Sequence, residues 1–130
     1  GLDGAGQESL SDYRGRVVLL DFWATFCAPC VAALPKLEGL SSKEKARGLT
    51  VVGLLVDDKP ELALKLARKA GVTYPLLRAS PEVWRAYRVN ALPSLVLVGR
   101  DGRIRKRFGG ESPPGALEAE IEAALSVPAP

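Results

Sequence analysis

The two cysteines are the residues of this chain whose type and spacing point most directly to chemistry. Cys27 and Cys30 lie three positions apart and are the only cysteines among 130 residues. Residues i and i+3 of a helix lie about 5–6 Å apart, so a disulfide between them could form and break with little backbone motion. Two cysteines at this spacing are typical of a redox couple.

This pair lies where an apolar segment gives way to a helical pattern. Val17–Phe22 is a nearly continuous apolar run, typical of a strand that is buried on both faces, and helical spacing follows from Ala28 to about Arg47. We therefore expect Cys27 at a helix N-terminus, where free N–H groups and the helix dipole favour a thiolate. Cys30, one turn further, should be more buried. Lowering the pKa of a thiol from ~8.5 to ~7 stabilises the reduced form by about 2 kcal/mol, or about 45 mV.

Two other interpretations of the cysteines are a structural disulfide and a zinc site. A bridge that closes so short a loop constrains the unfolded chain very little, which makes it a weak structural element. Zinc needs about four ligands. The chain has no histidine, so a zinc site would need carboxylates or a second chain. We predict a redox-active disulfide with no metal and no cofactor.

The rest of the chain alternates strand and helix patterns, which predicts a single α/β domain with a central mixed sheet flanked by helices on both faces. We expect residues 1–126 to form this domain and residues 127–130 to be a disordered tail. The further predicted elements are a strand over Leu49–Val56, a helix over Lys59–Ala70, a strand over Thr73–Leu77, a helix opened by Ser80 and Pro81, a hairpin of Ser94–Val98 and Arg103–Phe108, and a last helix opened by Ser112 and Pro113.

Composition excludes several classes of protein. The net charge of +3 is too small to indicate nucleic-acid binding, and the apolar runs are far shorter than the ~20 residues that cross a bilayer. Because the sequence contains no methionine, we expect a processed form or part of a longer chain. Arg103, Arg105 and Arg107 alternate along a predicted strand, which predicts that they share one solvated face; a patch that binds an acidic partner is the alternative.

Several short motifs occur together and in a fixed order. They are Phe22–Trp23–Ala24, Cys27–Ala28–Pro29–Cys30, Pro35 within the helix, and Ala91–Leu92–Pro93–Ser94 before a strand. This combination resembles the thioredoxin superfamily. The segment from Lys59 to Val89 resembles the additional helix–strand–helix of the TlpA/ResA-like branch. The likeness extends from about Leu2 to Leu125, and it implies a thioredoxin fold with that insertion.

The resemblance also implies roles for individual residues. Cys27 would attack a substrate disulfide, and Cys30 would resolve the mixed disulfide. The Leu92–Pro93 bond would be cis and lie against the cysteines, with Leu92 backbone groups docking the substrate. Trp23 would pack beside the disulfide, and Trp23, Ala28 and Pro29 would belong with Leu92 and Pro93 to the substrate-binding surface.

Members of this branch are extracytoplasmic thiol–disulfide oxidoreductases, often membrane-anchored, and several serve cytochrome c maturation. For this chain, the resemblance implies a periplasmic or outward-facing monomer. Its partners would be proteins that carry disulfides, with apocytochrome c as a candidate, and an upstream electron donor such as a membrane thiol carrier.

Two positions depart from the pattern of the branch. Relatives often carry an acidic residue where this chain has Ala33, and usually asparagine where it has Asp21. A carboxyl group inside an apolar strand should have a raised pKa, because burial disfavours its charge. We hypothesise that Asp21 takes the proton from Cys30 during resolution. The alternatives for Asp21 are an ion pair with a lysine or arginine, or a solvated position at the strand end.

The direction of electron flow follows from the dipeptide between the cysteines. Ala28–Pro29 lacks the histidine of strongly oxidising relatives, which favours a reductase. The alternatives are a disulfide-donating oxidase, a thiol peroxidase, and a binding module that keeps the fold without catalysis. Neither cysteine has the Pro-x-x-x-Thr-x-x-Cys loop of the peroxidases.

Overall fold

The computed structural model describes residues 10–109 and 112–130. Within these ranges the chain forms five strands and four α-helices, with short 3₁₀ turns at Leu10–Tyr13 and Lys45–Arg47. In chain order the elements are β1 (Val17–Trp23), α1 (Ala28–Glu44), β2 (Leu49–Leu55), α2 (Pro60–Lys69), β3 (Leu76–Arg78), α3 (Pro81–Ala86), β4 (Ser94–Val98), β5 (Ile104–Gly109) and α4 (Ala116–Leu125).

The five strands form one mixed sheet in the order β3-β2-β1-β4-β5. β1 and β2 pair in parallel, as do β2 and β3, whereas β4 and β5 are antiparallel to their neighbours. The predicted α/β class, the parallel pairing of the first two long strands and the C-terminal hairpin are confirmed. This is the arrangement of a thioredoxin fold, and the additional helix and strand between β2 and β4 are α2 and β3.

Strand β1 is buried along its whole length because helices cover both faces of the sheet. Val17 and Leu19 point to the face that is covered by α1 and α4, where they pack with Leu37 and Ile121. The alternate residues of β1 point to the other face and contact α3. The continuous apolar run in the sequence reflects this two-sided burial.

The third strand begins three residues later than predicted. Thr73 is bound by Glu38 of α1, whose carboxylate accepts hydrogen bonds from the Thr73 backbone N–H at 2.7 Å and from its hydroxyl. Pro75 has no N–H to donate and contributes only its carbonyl, which accepts from Gly53 at 2.9 Å. The ladder with β2 therefore starts at Leu76.

The last helix begins at Ala116 rather than at Ser112 and Pro113. Pro114 disfavours the α-region for Pro113, which opposes a first helical turn at the two prolines. Gly115 then adopts a left-handed conformation, with φ of 82°, immediately before the helix. The Ser112 hydroxyl accepts a hydrogen bond from Gly109 instead of capping α4.

The prediction that three arginines share one face of the hairpin is wrong. A register irregularity at Leu97/Val98 leaves Arg105 without a partner on β4. Arg105 reaches Glu120 of α4, whereas Arg107 donates to the Tyr87 carbonyl near α3, on the other side of the sheet. At this bulge the side chains of β5 no longer alternate regularly between the two faces of the sheet.

The C-terminal residues 127–130 are exposed and form neither helix nor strand, and their disorder stays a prediction. In the described ranges, no helix combines the length and the apolar character needed to cross a bilayer.

Candidate active site

The cysteines are joined as a disulfide at the N-terminus of α1. Their Cα atoms lie 5.3 Å apart, within the range expected for neighbours on one helical turn. Cys27 is the N-cap residue in an extended conformation, and its sulfur accepts a hydrogen bond from the Cys30 N–H at 3.3 Å. Pro29 occupies the first turn, where the missing N–H costs nothing.

The two sulfurs differ in their access to solvent. Cys27 is 9% exposed and Cys30 only 1% exposed. A thiolate at Cys27 would lie where free N–H groups and the positive end of the helix dipole favour negative charge. This arrangement suits Cys27 to attack the disulfide of a substrate, and it suits the buried Cys30 to attack the Cys27 sulfur of the mixed disulfide that results.

Trp23 lies in the apolar cluster that also contains the two cysteines and Leu34. Its side chain is completely buried, and within the described part of the chain its indole N–H has no hydrogen-bond acceptor. Trp23 therefore packs beside the disulfide, as the resemblance implied. Trp23 has no exposed area, and its implied part in substrate binding stays a prediction.

Leu92 and Pro93 bring a second segment to the disulfide. The Leu92–Pro93 peptide bond is cis, as expected. Leu92 packs against the cluster that contains both cysteines. It also lines a groove of about 650 Å³ that begins at Cys27. The other residues that line this groove are Phe26, Val56, Asp57, Trp84, Val89, Asn90 and Ala91.

Ala28 and Pro29 are exposed at the start of α1. Pro29 also borders a second cavity of about 410 Å³ that lies between α1, α4 and the sheet. Pro93 lines the same cavity.

Asp21 lines this second cavity, together with the charged residues Lys36 and Glu118. It is 2% exposed, and its Oδ2 atom has no hydrogen-bond partner among the described residues. Burial raises the pKa of Asp21 from its ordinary value of 3.8 to about 7. Neither alternative for Asp21, an ion pair or a solvated strand end, is found in the part of the chain that the structure covers.

Ala33 lines the same cavity as Asp21. The helix position that is often acidic in the branch thus faces the space that the Asp21 carboxyl group occupies from the strand side. A carboxyl group could therefore enter this cavity from position 21 of β1 or from position 33 of α1.

Two residues at the site were not identified from the sequence. The Asp57 carboxylate accepts a hydrogen bond from the Thr25 N–H at 2.8 Å, and Thr25 precedes Cys27 by two positions. A usable signal was present, because Asp57 follows β2 and Thr25 follows β1. The carboxyl ends of adjacent parallel strands meet at one edge of the sheet, where functional residues concentrate.

The structure gives no indication of a metal centre in the regions it describes. No group of three potential ligands from His, Cys, Asp or Glu comes together there. Both thiols are engaged in the disulfide.

Comparison with known proteins decides the family. The model of the Redoxin family matches residues 3–125, which is nearly the whole chain. The chain belongs to the Redoxin family. Its sequence is 31% identical over 118 residues to the thiol–disulfide oxidoreductase ResA of Geobacillus kaustophilus, covering 89% of this chain and 67% of that protein.

Solved structures of similar proteins agree with the assignment of this chain to the Redoxin family. A Chlorobium tepidum protein assigned as the thiol:disulfide interchange protein DsbE superimposes with a TM-score of 0.86 at 34% identity, covering 95% of this chain and 89% of the other. A thiol–disulfide isomerase of Corynebacterium glutamicum shares the fold, with a TM-score of 0.83 at 23% identity, covering 95% and 90% of the two chains.

These relatives and the cysteine pair at disulfide distance establish the class of enzyme. This Redoxin protein is a thiol–disulfide oxidoreductase of the TlpA/ResA-like branch of the thioredoxin superfamily. The chain spans about two thirds of the length of the ResA relative.

Proposed function

We propose that this protein reduces the disulfides of other proteins outside the cytoplasm, with Cys27 as the attacking residue. The observation that carries this proposal is the asymmetry of the disulfide. The Cys27 sulfur caps the helix at the edge of a groove, and Cys30 is buried one turn behind it.

The reaction proceeds in two exchanges. The Cys27 thiolate attacks one sulfur of the substrate disulfide, so a mixed disulfide forms and the other substrate sulfur leaves as a thiolate. The Cys30 thiol then loses its proton and attacks the Cys27 sulfur. The substrate is released with both of its sulfurs reduced, and the protein is left with the Cys27–Cys30 disulfide. No cofactor takes part in either exchange.

Asp21 is the proposed acceptor of the Cys30 proton. A carboxyl group with a pKa of about 7 is about half ionised at neutral pH, which suits a general base. Its cavity is bordered by Pro29, which lies between the two cysteines in sequence, and by Pro93. The other charged residues that line this cavity, Lys36 and Glu118, are exposed and lie 4.0 Å from each other, so Asp21 is its buried carboxyl group.

The Cys27 groove is the proposed substrate surface. Phe26, Trp84 and Leu92 make its walls largely apolar, and Leu92 packs against the cluster that contains Cys27. Ala28, Pro29 and Pro93 would complete the contact around the disulfide. An extended protein segment that carries a cystine fits such a surface.

The cellular setting is proposed from the resemblance to the TlpA/ResA-like branch and from the ResA relative. The protein would act as a monomer in the periplasm or on the outer side of a membrane. There it would receive electrons from a membrane thiol carrier. Apocytochrome c is the proposed substrate, which would place the protein in cytochrome c maturation.

Trapping of the mixed disulfide tests this function. Reduced Cys30→Ser protein, mixed with insulin as a protein disulfide, should accumulate a covalent complex that dithiothreitol releases, because the resolving thiol is missing. Cys27→Ser protein should form none under the same conditions. A covalent complex that forms equally in both variants, or in neither, would contradict the proposal.

A further inference from the structure

The turn that carries Cys27 leaves the sheet with few attachments. The last backbone bond of the parallel ladder runs from the Val56 N–H to the Trp23 carbonyl at 2.9 Å. Beyond it, the turn is closed by one bond of 3.1 Å from the Cys27 N–H to the Ala24 carbonyl. Phe26 at the tip is 77% exposed, so packing does little to hold it.

Asp57 supplies a further attachment from the loop after β2. Its Oδ2 atom accepts hydrogen bonds from the Thr25 backbone N–H at 2.8 Å and from the Thr25 hydroxyl. Its Oδ1 atom accepts from the Lys59 N–H at 3.2 Å. Hydrogen bonds to a charged acceptor are stronger than neutral ones, so this carboxylate ties the turn firmly to the neighbouring loop.

The same carboxylate lies in the groove where a substrate would bind. Asp57 lines that groove together with Cys27 and Phe26. A movement of the turn would therefore displace the Cys27 sulfur relative to a protein held along the groove. Attack requires the reacting atoms to approach within about 3–3.5 Å, and a misplacement of about 1 Å can cost up to 100-fold in rate.

We propose that Asp57 is a positioning residue: by anchoring Thr25, it holds the Cys27 sulfur where it meets a disulfide bound in the groove. This inference rests on the proposed reduction of protein disulfides. Asp57 does not touch the reacting sulfurs in this role and acts through the turn.

Positioning affects a docked protein and a small diffusing reagent differently. In a Cys30→Ser background, Asp57→Ala should slow the reaction of Cys27 with insulin by about 10-fold. Alkylation of the same thiol by iodoacetamide, which needs no docking, should change by less than about twofold. Asp57→Asn should keep most of the insulin rate, because an amide oxygen can still accept from Thr25.

Asp58 provides a matched control. It is the next residue, its side chain is 85% exposed, and it pairs with Arg78 at 2.8 Å. It does not line the groove. Asp58→Ala removes the same charge but leaves the hydrogen bonds between Asp57 and Thr25 intact. Its rates with insulin and with iodoacetamide should therefore match those of the parent protein.

Thr25 gives a second test that keeps the carboxylate, in case Asp57→Ala does not fold. Thr25→Val loses the hydroxyl donor and should slow the insulin reaction selectively, whereas Thr25→Ser keeps the donor and should not. Equal insulin rates for Thr25→Val and Thr25→Ser would overturn the proposal.

The results for Asp57→Ala also distinguish a failure of the positioning role from a failure of the proposed function. Asp57→Ala that behaves like Asp58→Ala, or that slows insulin and iodoacetamide to the same degree, overturns the positioning role alone. Parent protein whose Cys27 is alkylated normally but never reacts with insulin contradicts the proposed function, and the inference falls with it.

Discussion

Asp21 occupies a strand position whose neighbours, Leu20 and Phe22, have no exposed surface. A carboxyl group there costs stability when it is charged, because few groups replace the water that it loses. The pKa of about 7 is the direct result of that burial. The same property makes Asp21 able to accept a proton near neutral pH.

Substitution of Asp21 should change the pH dependence of the reaction. The rate of insulin reduction by the wild type should rise with pH through about 7 as Asp21 ionises. Asp21→Asn should lose this inflection and be about 100-fold slower above it, the lower end of the usual range for a general base. Stopped-flow rates between pH 5 and 9 measure both effects. An unchanged pH profile would exclude the role.

Ala33 allows a rescue of that variant. Since it faces the same cavity, Ala33→Glu in the Asp21→Asn background should place a carboxyl group in the same space. We expect part of the lost rate to return together with a pH inflection. Ala32→Glu is the matched control, because Ala32 is exposed and does not line the cavity.

The same carboxyl group should also make stability depend on pH. Its pKa is raised in the folded state, so folded protein holds the proton more tightly than unfolded protein. The advantage of the wild type over Asp21→Asn should be largest below about pH 4 and should fall as pH rises to about 7. The decline is about 1.4 kcal/mol per pH unit. Urea denaturation of both proteins measures it, and a difference that is constant with pH would contradict a raised pKa.

At the scale of elements, the packing of β2 beneath the site depends on Gly53. A Cβ atom there would lie 2.7 Å from Cδ2 of Leu76 and 3.4 Å from both Trp23 and Tyr74. Gly53→Ala should destabilise the protein by about 1–3 kcal/mol through overpacking. Thermal or urea denaturation checks this value.

Gly39 of α1 is the control for that substitution. It is exposed, and a Cβ added there would meet nothing within 4 Å. Gly39→Ala should stabilise the protein by about 0.5–1 kcal/mol, as expected in a helix interior. Equal effects at the two glycines would argue against the tight packing around Gly53.

The elements also show what a sequence can and cannot predict. The burial of β1, the helix start at Cys27 and the helix cap at Ser80 depend on neighbouring residues, and all three were predictable. The start of β3 depends on Glu38, which lies 35 positions before Thr73 and binds it. The attachment of Asp57 to Thr25 spans 32 positions. Local patterns contain no information on the contact of Glu38 with Thr73, whereas the places of Asp57 and Thr25 after parallel strands indicate only that the two residues lie at the same edge of the sheet.

At the scale of the whole molecule, Arg100 ties together segments at a distance from the active site. Its guanidinium donates to the carbonyls of Gly15, Arg47 and Leu125 at 3.2, 3.1 and 3.2 Å. These carbonyls lie before β1, at the end of α1's 3₁₀ extension and at the end of α4. The contacts hold the amino end of the central strand against both helices.

Arg100→Ala should therefore separate stability from activity. We expect a loss of about 2–3 kcal/mol in the free energy of unfolding, because several charge-assisted hydrogen bonds disappear. Insulin reduction by the folded fraction should stay the same. Arg103→Ala, on the exposed part of the hairpin, should change stability by less than about 0.5 kcal/mol. If Arg100→Ala kept the stability of the wild type, or lost activity while folded, the proposed separation of stability from activity would be contradicted.

The direction of electron flow is a property of the whole protein. It depends on the reduction potential of the disulfide, which reflects how stable the folded chain is with and without that bond. The reduction potential of the Cys27–Cys30 couple, measured in dithiothreitol or glutathione buffers by tryptophan fluorescence, tests the central claim most directly. A reductase should titrate as a two-electron couple near or below the ~−270 mV of thioredoxin. A potential near the ~−120 mV of a strong oxidant such as DsbA would make the protein a disulfide donor and contradict the account.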